Sequence, residues 1–167
     1  FSEGSREICF AKRTLEILDR YGCGDRAVDK GVVWNHGKVF LRDRLLYAFD
    51  LLPESGHKRP AFINLQQYFL EQFLVERLSE LQDVELRWRN RVIGVTPGPD
   101  GVAVTVDTPD GNYVVECDYL IACDGARSPV RNALGLESKG QVFRDRFLIA
   151  DVRMDADFPT ERWFWFD

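Results

Sequence analysis

The sequence predicts a mixed α/β fold with antiparallel and parallel pieces, and three observations lead to it. Residues 64–81 carry an apolar stripe at helical spacing. Three β-rich runs between 91 and 117 are broken by the turn sequences PGPDG at 97–101 and PDG at 109–111, which predicts an antiparallel meander. The apolar run 119–123 leads through Asp124-Gly125 to a helix opening at Ser128-Pro129, and this order of strand, turn and helix belongs to parallel sheets.

Taken in order, residues 12–21 (KRTLEILDRY) bring Leu15, Ile17 and Leu18 near one helical face and stop at Gly22, a residue suited to the position after a helix. Segments 31–41 (GVVWNHGKVFL) and 44–52 (RLLYAFDLL) are rich in β-branched, aromatic and large apolar residues, and the polar Arg42-Asp43 between them predicts a hairpin. The long helix is expected to open at Asn64, because Leu65, Phe69, Leu70, Phe73, Leu74, Leu78 and Leu81 recur mainly at steps of three and four. Beyond it, 84–88, 91–96, 102–107 and 112–117 read as strands, the last three forming the meander. The run 119–123 (YLIAC) is apolar without alternation, as in a strand covered on both faces. After the short helix from Ser128, which Gly135 can close, 146–153 (RFLIADVR) and 162–166 (RWFWF) read as further strands.

Composition narrows the function. The chain has 167 residues, 45% hydrophobic and 29% charged, enough for a real core. A net charge of -5 with Lys and Arg spread along the chain argues against nucleic acid. No apolar run approaches the ~18 residues of a membrane span, and the first residues lack the pattern of a signal peptide, so a cytoplasmic protein is expected. Cys9, Cys23, Cys117 and Cys123 are far apart, and His36 and His57 are not near them in sequence, so no metal site is expected.

The stretch YLIACDGARSPVR at 119–131 carries the most chemistry. A strand ending in Asp-Gly before a helix start lets backbone N–H groups approach a phosphate, while the aspartate accepts from a ribose hydroxyl or a water. The same pattern also serves as a purely structural turn, and both readings stay open on the residues alone. Residues 22–27 (GCGDRA) fit the looser G-x-G-x-x-A spacing but follow a helical stretch, so they are not read as a nucleotide fingerprint.

CDGARSPVR at 123–131 resembles the Asp-Gly motif of class A flavoprotein monooxygenases, the family of para-hydroxybenzoate hydroxylase and phenol hydroxylase. The resemblance implies that Asp124, Gly125, Arg127, Ser128 and Arg131 lie beside the FAD pyrophosphate and also serve NAD(P)H. GSREICFAKRTLEIL at 4–18 is similar to the segment after the second strand of the FAD domain, which implies that Arg6 lies close to the flavin. NLQQYFLEQFL at 64–74 is similar to the helix whose early glutamine contacts the cofactor's ribose and phosphate region. Gln67 aligns best there and Gln66 second. Asn64 and Gln67 also fit a capping box, which accounts for both without a ligand.

KGVVWNHGKVF and FPTERWFWF resemble the 3-(3-hydroxyphenyl)propionate hydroxylase subgroup. On this resemblance residues 1–30 and 61–140 belong to a partial FAD-binding Rossmann-like domain that includes the meander. Residues 31–60 and 141–167 belong to part of a mixed-sheet substrate domain. The opening strand with G-x-G-x-x-G and the late Gly-Asp motif are absent, so the chain is expected to be an internal piece. Poor FAD affinity, inactivity of the piece alone and self-association through exposed sheet edges are expected with it.

The implied function is hydroxylation of a phenolic or aromatic acid by O2 with FAD and NAD(P)H, through a flavin C4a-hydroperoxide, in the catabolism of aromatic compounds. Tyr47, Tyr68 and His36 are candidates by type for the base that deprotonates the phenol. One alternative is a non-catalytic module of the same fold that acts by binding or assembly. Another is a β-rich structural domain whose Asp-Gly turn is coincidental.

Overall fold

In the computed structural model residues 7–150 and 152–167 are described, and the proposed flavin neighbour Arg6 lies outside them. By packing the chain forms two units, Phe1–Leu86 with Arg153–Asp167, and Arg87–Val152.

In the first unit, β1 (Cys9–Ala11), β5 (Phe62–Asn64) and β2 (Val32–Trp34) make an antiparallel sheet in the order β1-β5-β2. Helices α1 (Lys12–Arg20), α2 (Gly24–Lys30) and α3 (Gln67–Ser79) supply the rest of its core. Leu15 and Leu18 from α1, Ala27 from α2, Phe73 from α3, and Cys23, Ile63 and Leu65 form one buried cluster. The stripe on α3 works as its spacing requires: Phe69, Leu70 and Leu74 pack on this cluster around the buried Phe73.

A second sheet joins β3 (His36–Leu41) to β4 (Arg44–Asp50) as an antiparallel hairpin and to β9 (Arg162–Phe166) in parallel. The expected hairpin therefore forms, but its first arm is shorter than expected. Val32–Trp34 pairs with β5 instead, and the chain changes sheets at Asn35, whose side chain accepts the Ala61 N–H. A single β-rich run of 11 residues hides such a switch, because both halves alternate alike.

The second unit holds the meander β6 (Arg91–Pro97), β7 (Val102–Thr108) and β8 (Gly111–Cys117), antiparallel throughout. Both expected turns close it: Gly98 N–H bonds Gly101 O at 2.7 Å, and the Thr108 hydroxyl bonds Gly111 O at 2.8 Å. The expected short helix is α4 (Pro129–Ala133), which packs against β6 and is followed by Gly135.

Three expected strands are not formed. Residues 84–88, 119–123, and 146–150 with 152–153 carry no strand pairing among the described residues. The physical reason is common to all three: a strand needs a ladder partner, and no described segment lies alongside. Tyr119 and Ile121 are left 87% and 83% exposed, and Leu148 is 96% exposed. Arg87 instead donates to the Tyr113 hydroxyl, which donates to Asn90. The helix expected from Asn64 starts three residues later, because Asn64 is paired in β5. Helix α2 was not foreseen, since only Ala27 and Val28 are apolar in its seven residues.

Candidate functional site

The Asp-Gly loop folds around its own helix. The Asp124 carboxylate accepts the Val130 N–H at 3.1 Å, and Ser128 Oγ accepts the Arg131 N–H at 3.0 Å. Pro129 has no N–H to offer, so the first turn of α4 is capped from within by the two residue types that the sequence places there. Hydrogen bonding from Ser128, then from the Val130 N–H, holds the Asp124 carboxyl below the ordinary carboxylate range. Arg131 Nη2 donates to the Ala126 carbonyl at 2.7 Å and braces the loop.

Two consequences bear on a ligand. The N–H groups of Val130 and Arg131 point to side chains of the chain itself, so the open part of the motif is the loop that precedes the helix. There Gly125 adopts φ +80, a left-handed conformation that favours glycine, and nothing lies within 4 Å of where a Cβ would stand. Arg127 is exposed, and among the described residues no carboxylate pairs with it. An open glycine turn beside an ionised aspartate and an available guanidinium suits a phosphate-sugar ligand.

At the first sheet, Asn64 Oδ1 accepts the Trp34 indole N–H at 2.9 Å and the Cys9 thiol at 3.1 Å, tying β1, β5 and β2 together. This overturns the capping-box reading of Asn64 and Gln67. Helix α3 has Gln66 at its N-cap, without a side-chain cap bond, and Gln67 Nε2 donates to Glu71 within the helix at 2.8 Å. Leu65 N–H bonds Ile8 O at 2.7 Å. Leu65 lies two residues before Gln67, so this bond ties the approach to α3 to the start of β1. Gln67 is half-buried and Gln66 exposed.

Of the base candidates, Tyr47 lies against Phe49, Tyr68 against Phe69, and His36 faces Asp50 at 3.4 Å in the open. No geometry singles out one of them. Sequence reading missed a buried cation: Arg59 is 4% exposed and donates to both oxygens of Asp19 and, at 2.6 Å, to Asp25. Hydrogen bonding to Asp19 raises its pKa, and the Asp19 carboxyl is lowered by the same contact. It locks α1 and α2 to the loop that leads into β5. The signal was faint, an arginine beside Pro60 at the entry to a short apolar run. Among the described residues no group of His, Cys, Asp and Glu could hold a metal, and no helix is long and apolar enough to cross a membrane.

The chain is 38% identical over 157 residues to a 12-dehydrotetracycline 5-monooxygenase/anhydrotetracycline 6-monooxygenase of Streptomyces rimosus, covering 93% of this chain and 30% of that protein. It is 32% identical over 113 residues to a 3-(3-hydroxy-phenyl)propionate/3-hydroxycinnamic acid hydroxylase of Mycolicibacterium smegmatis, covering 68% of this chain and 20% of that protein. Among solved structures, p-nitrophenol 4-monooxygenase from Pseudomonas putida superposes with a TM-score of 0.76 at 27% identity, over 85% of this chain and 36% of that one. The chain thus spans between a fifth and about a third of the length of these relatives. Residues 1–166 match the family model described as FAD binding domain. The chain belongs to this FAD-binding domain family, whose relatives include flavin-dependent aromatic monooxygenases.

Proposed function

We propose that the chain is the cofactor- and substrate-facing segment of an FAD-dependent, NAD(P)H-using hydroxylase that acts on a phenolic or aromatic acid with O2. The observation that carries this reading is the Asp124 loop: internally capped, ionised, and open at Gly125 and Arg127. When bound, FAD supplies the oxygen-activating chemistry. The residues of this chain hold and orient. Asp124 accepts from a ribose hydroxyl or a bound water, Gly125 lets a phosphate approach the backbone, and Arg127 offsets its charge. Ser128 and Arg131 keep the loop in shape. Gln67 serves the ribose and phosphate region of the cofactor, and Arg6 the flavin. In this reading 1–30 and 61–140 hold FAD, and 31–60 with 141–167 hold the substrate and exclude water from it. A cytoplasmic place of action belongs to the same reading.

The test is direct. Whole protein given FAD, NAD(P)H, O2 and a phenolic acid should yield a product heavier by one oxygen atom, with NAD(P)H oxidised only when FAD is present. Oxidation of NAD(P)H that is indifferent to every aromatic acid offered, with no product, would contradict it. A second reading, a non-catalytic module that acts by assembly, draws on the exposed apolar side chains of Phe147, Leu148 and Ile149.

A further inference from the structure

The sheet made by β4, β3 and β9 has two faces that differ in charge. On one, Lys38, Phe40, Trp163 and Trp165 lie together, with Phe40 stacked on Trp165 at 5.3 Å. Its cation is already neutralised, since Lys38 Nζ lies 2.7 Å from Glu161, which also accepts the Trp163 indole N–H at 2.6 Å. The opposite face carries Arg162, Phe164, Phe49 and Tyr47, as the pairing of Gly37 with Phe49 and Arg162, and of Val39 with Tyr47 and Phe164, requires. Gly37 leaves this face flat: a Cβ there would run into the Phe49 ring.

Arg162 is the cation of that face at its Gly37 end, while Arg44 stands opposite Leu41 at the other end. The Arg162 guanidinium lies 5.5 Å from the Phe164 ring centre, and Nη1 reaches Cys9 Sγ at 3.7 Å. Among the described residues no carboxylate pairs with it, in a chain whose net charge is -5. It also lines a cavity of about 90 Å³ with Trp34, Asn64, Thr160 and Glu161. A cavity that holds benzene has about 150 Å³, so this one has the room of a charged head group and not of a ring. Asn64, which accepts the Trp34 indole N–H, and Val32, its partner across the ladder, also line the cavity, so it lies at the end of β5 from which α3 departs.

We propose that Arg162 is the specificity-determining anchor for an aromatic acid, its guanidinium taking the substrate carboxylate in this cavity while the ring lies along Phe164, Phe49 and Tyr47. The proposal rests on the reading of this sheet as the substrate sheet. A planar guanidinium suits a carboxylate because two parallel N–H donors meet two oxygens. The aromatic strip gives the ring a surface on which offset or edge contacts form.

The experiment is equilibrium dialysis of the chain against 3-(3-hydroxyphenyl)propionate and, separately, its methyl ester, for the wild type, Arg162→Met and Arg162→Lys, with FAD uptake measured on each. The wild type should bind the acid about tenfold or more tighter than the ester, the range of a charged hydrogen bond. Arg162→Met should erase that preference and leave ester binding in place, and Arg162→Lys should recover part of it. Equal binding of acid and ester, no binding of the acid, or a preference that survives Arg162→Met would each overturn the proposal. If Arg162→Met fails to fold by circular dichroism, an undiminished preference in Arg162→Lys overturns it instead. Loss of FAD uptake by the wild type sinks the cofactor reading alone, because the acid and ester comparison does not depend on it.

Discussion

Two side chains carry most of what the sequence could and could not reveal at the scale of single residues. Asp124 was legible, because Asp-Gly followed by Ser-Pro sets a turn, a cap and a first-turn proline in fixed order, and the structure forms each bond that order allows. Its lowered carboxyl gives a pH prediction whose sign is fixed. Stabilisation of the loop is fully present above the ordinary carboxylate range and is lost as pH falls through the lowered value. The Val130 amide resonance should therefore titrate below the range of a free aspartate, and in Asp124→Asn it should not titrate there. Asn64 was misread, because a capping box and a strand end look alike until the partners of the strand are known. Asn64→Leu should cost about 1–3 kcal/mol in urea unfolding, since it leaves the Trp34 N–H without its acceptor. A cost near zero would mean that water replaces Asn64 at no loss.

Elements whose evidence is internal to the segment were the ones legible in sequence. Helices α1 and α3, the hairpin, the meander and α4 each carry their own periodicity, turn or cap, and each is formed. Runs 84–88, 119–123 and 146–153 have the composition of strands, but composition cannot supply a neighbour. The short strands β1 and β5 went unseen for the opposite reason, since three residues show no period and owe their existence to pairing. The packing of α3 gives the prediction at this scale. Phe73 is 8% exposed amid Leu15, Leu18 and Ile63, so Phe73→Ala should cost about 3–5 kcal/mol, read as a shifted denaturation midpoint. Tyr68→Ala, at the exposed side of the same helix, should cost about 0.5 kcal/mol or less. Equal costs would show that α3 does not pack by its apolar stripe.

For the whole molecule, the family could be read from motifs in their order along the chain, while the joining of distant segments could not. Nothing in the spacing announced that Arg59 would bridge Asp19 and Asp25, or that Arg162 would come to the thiol of Cys9, 153 positions earlier. Exposed apolar groups at Tyr119, Ile121, Phe147, Leu148 and Ile149 lead us to expect association in solution, so light scattering should give a mass that rises with concentration and falls when Leu148→Asp is introduced. A constant monomer mass would refute that expectation. The proposal that this chain takes up FAD, with Asp124 and Gln67 each serving the cofactor, is tested most directly by FAD titration followed by flavin fluorescence, before and after gel filtration. The expected result is weak, saturable uptake that Asp124→Ala abolishes and Gln67→Ala reduces. Absence of uptake at any FAD concentration, or uptake indifferent to both substitutions, would contradict it.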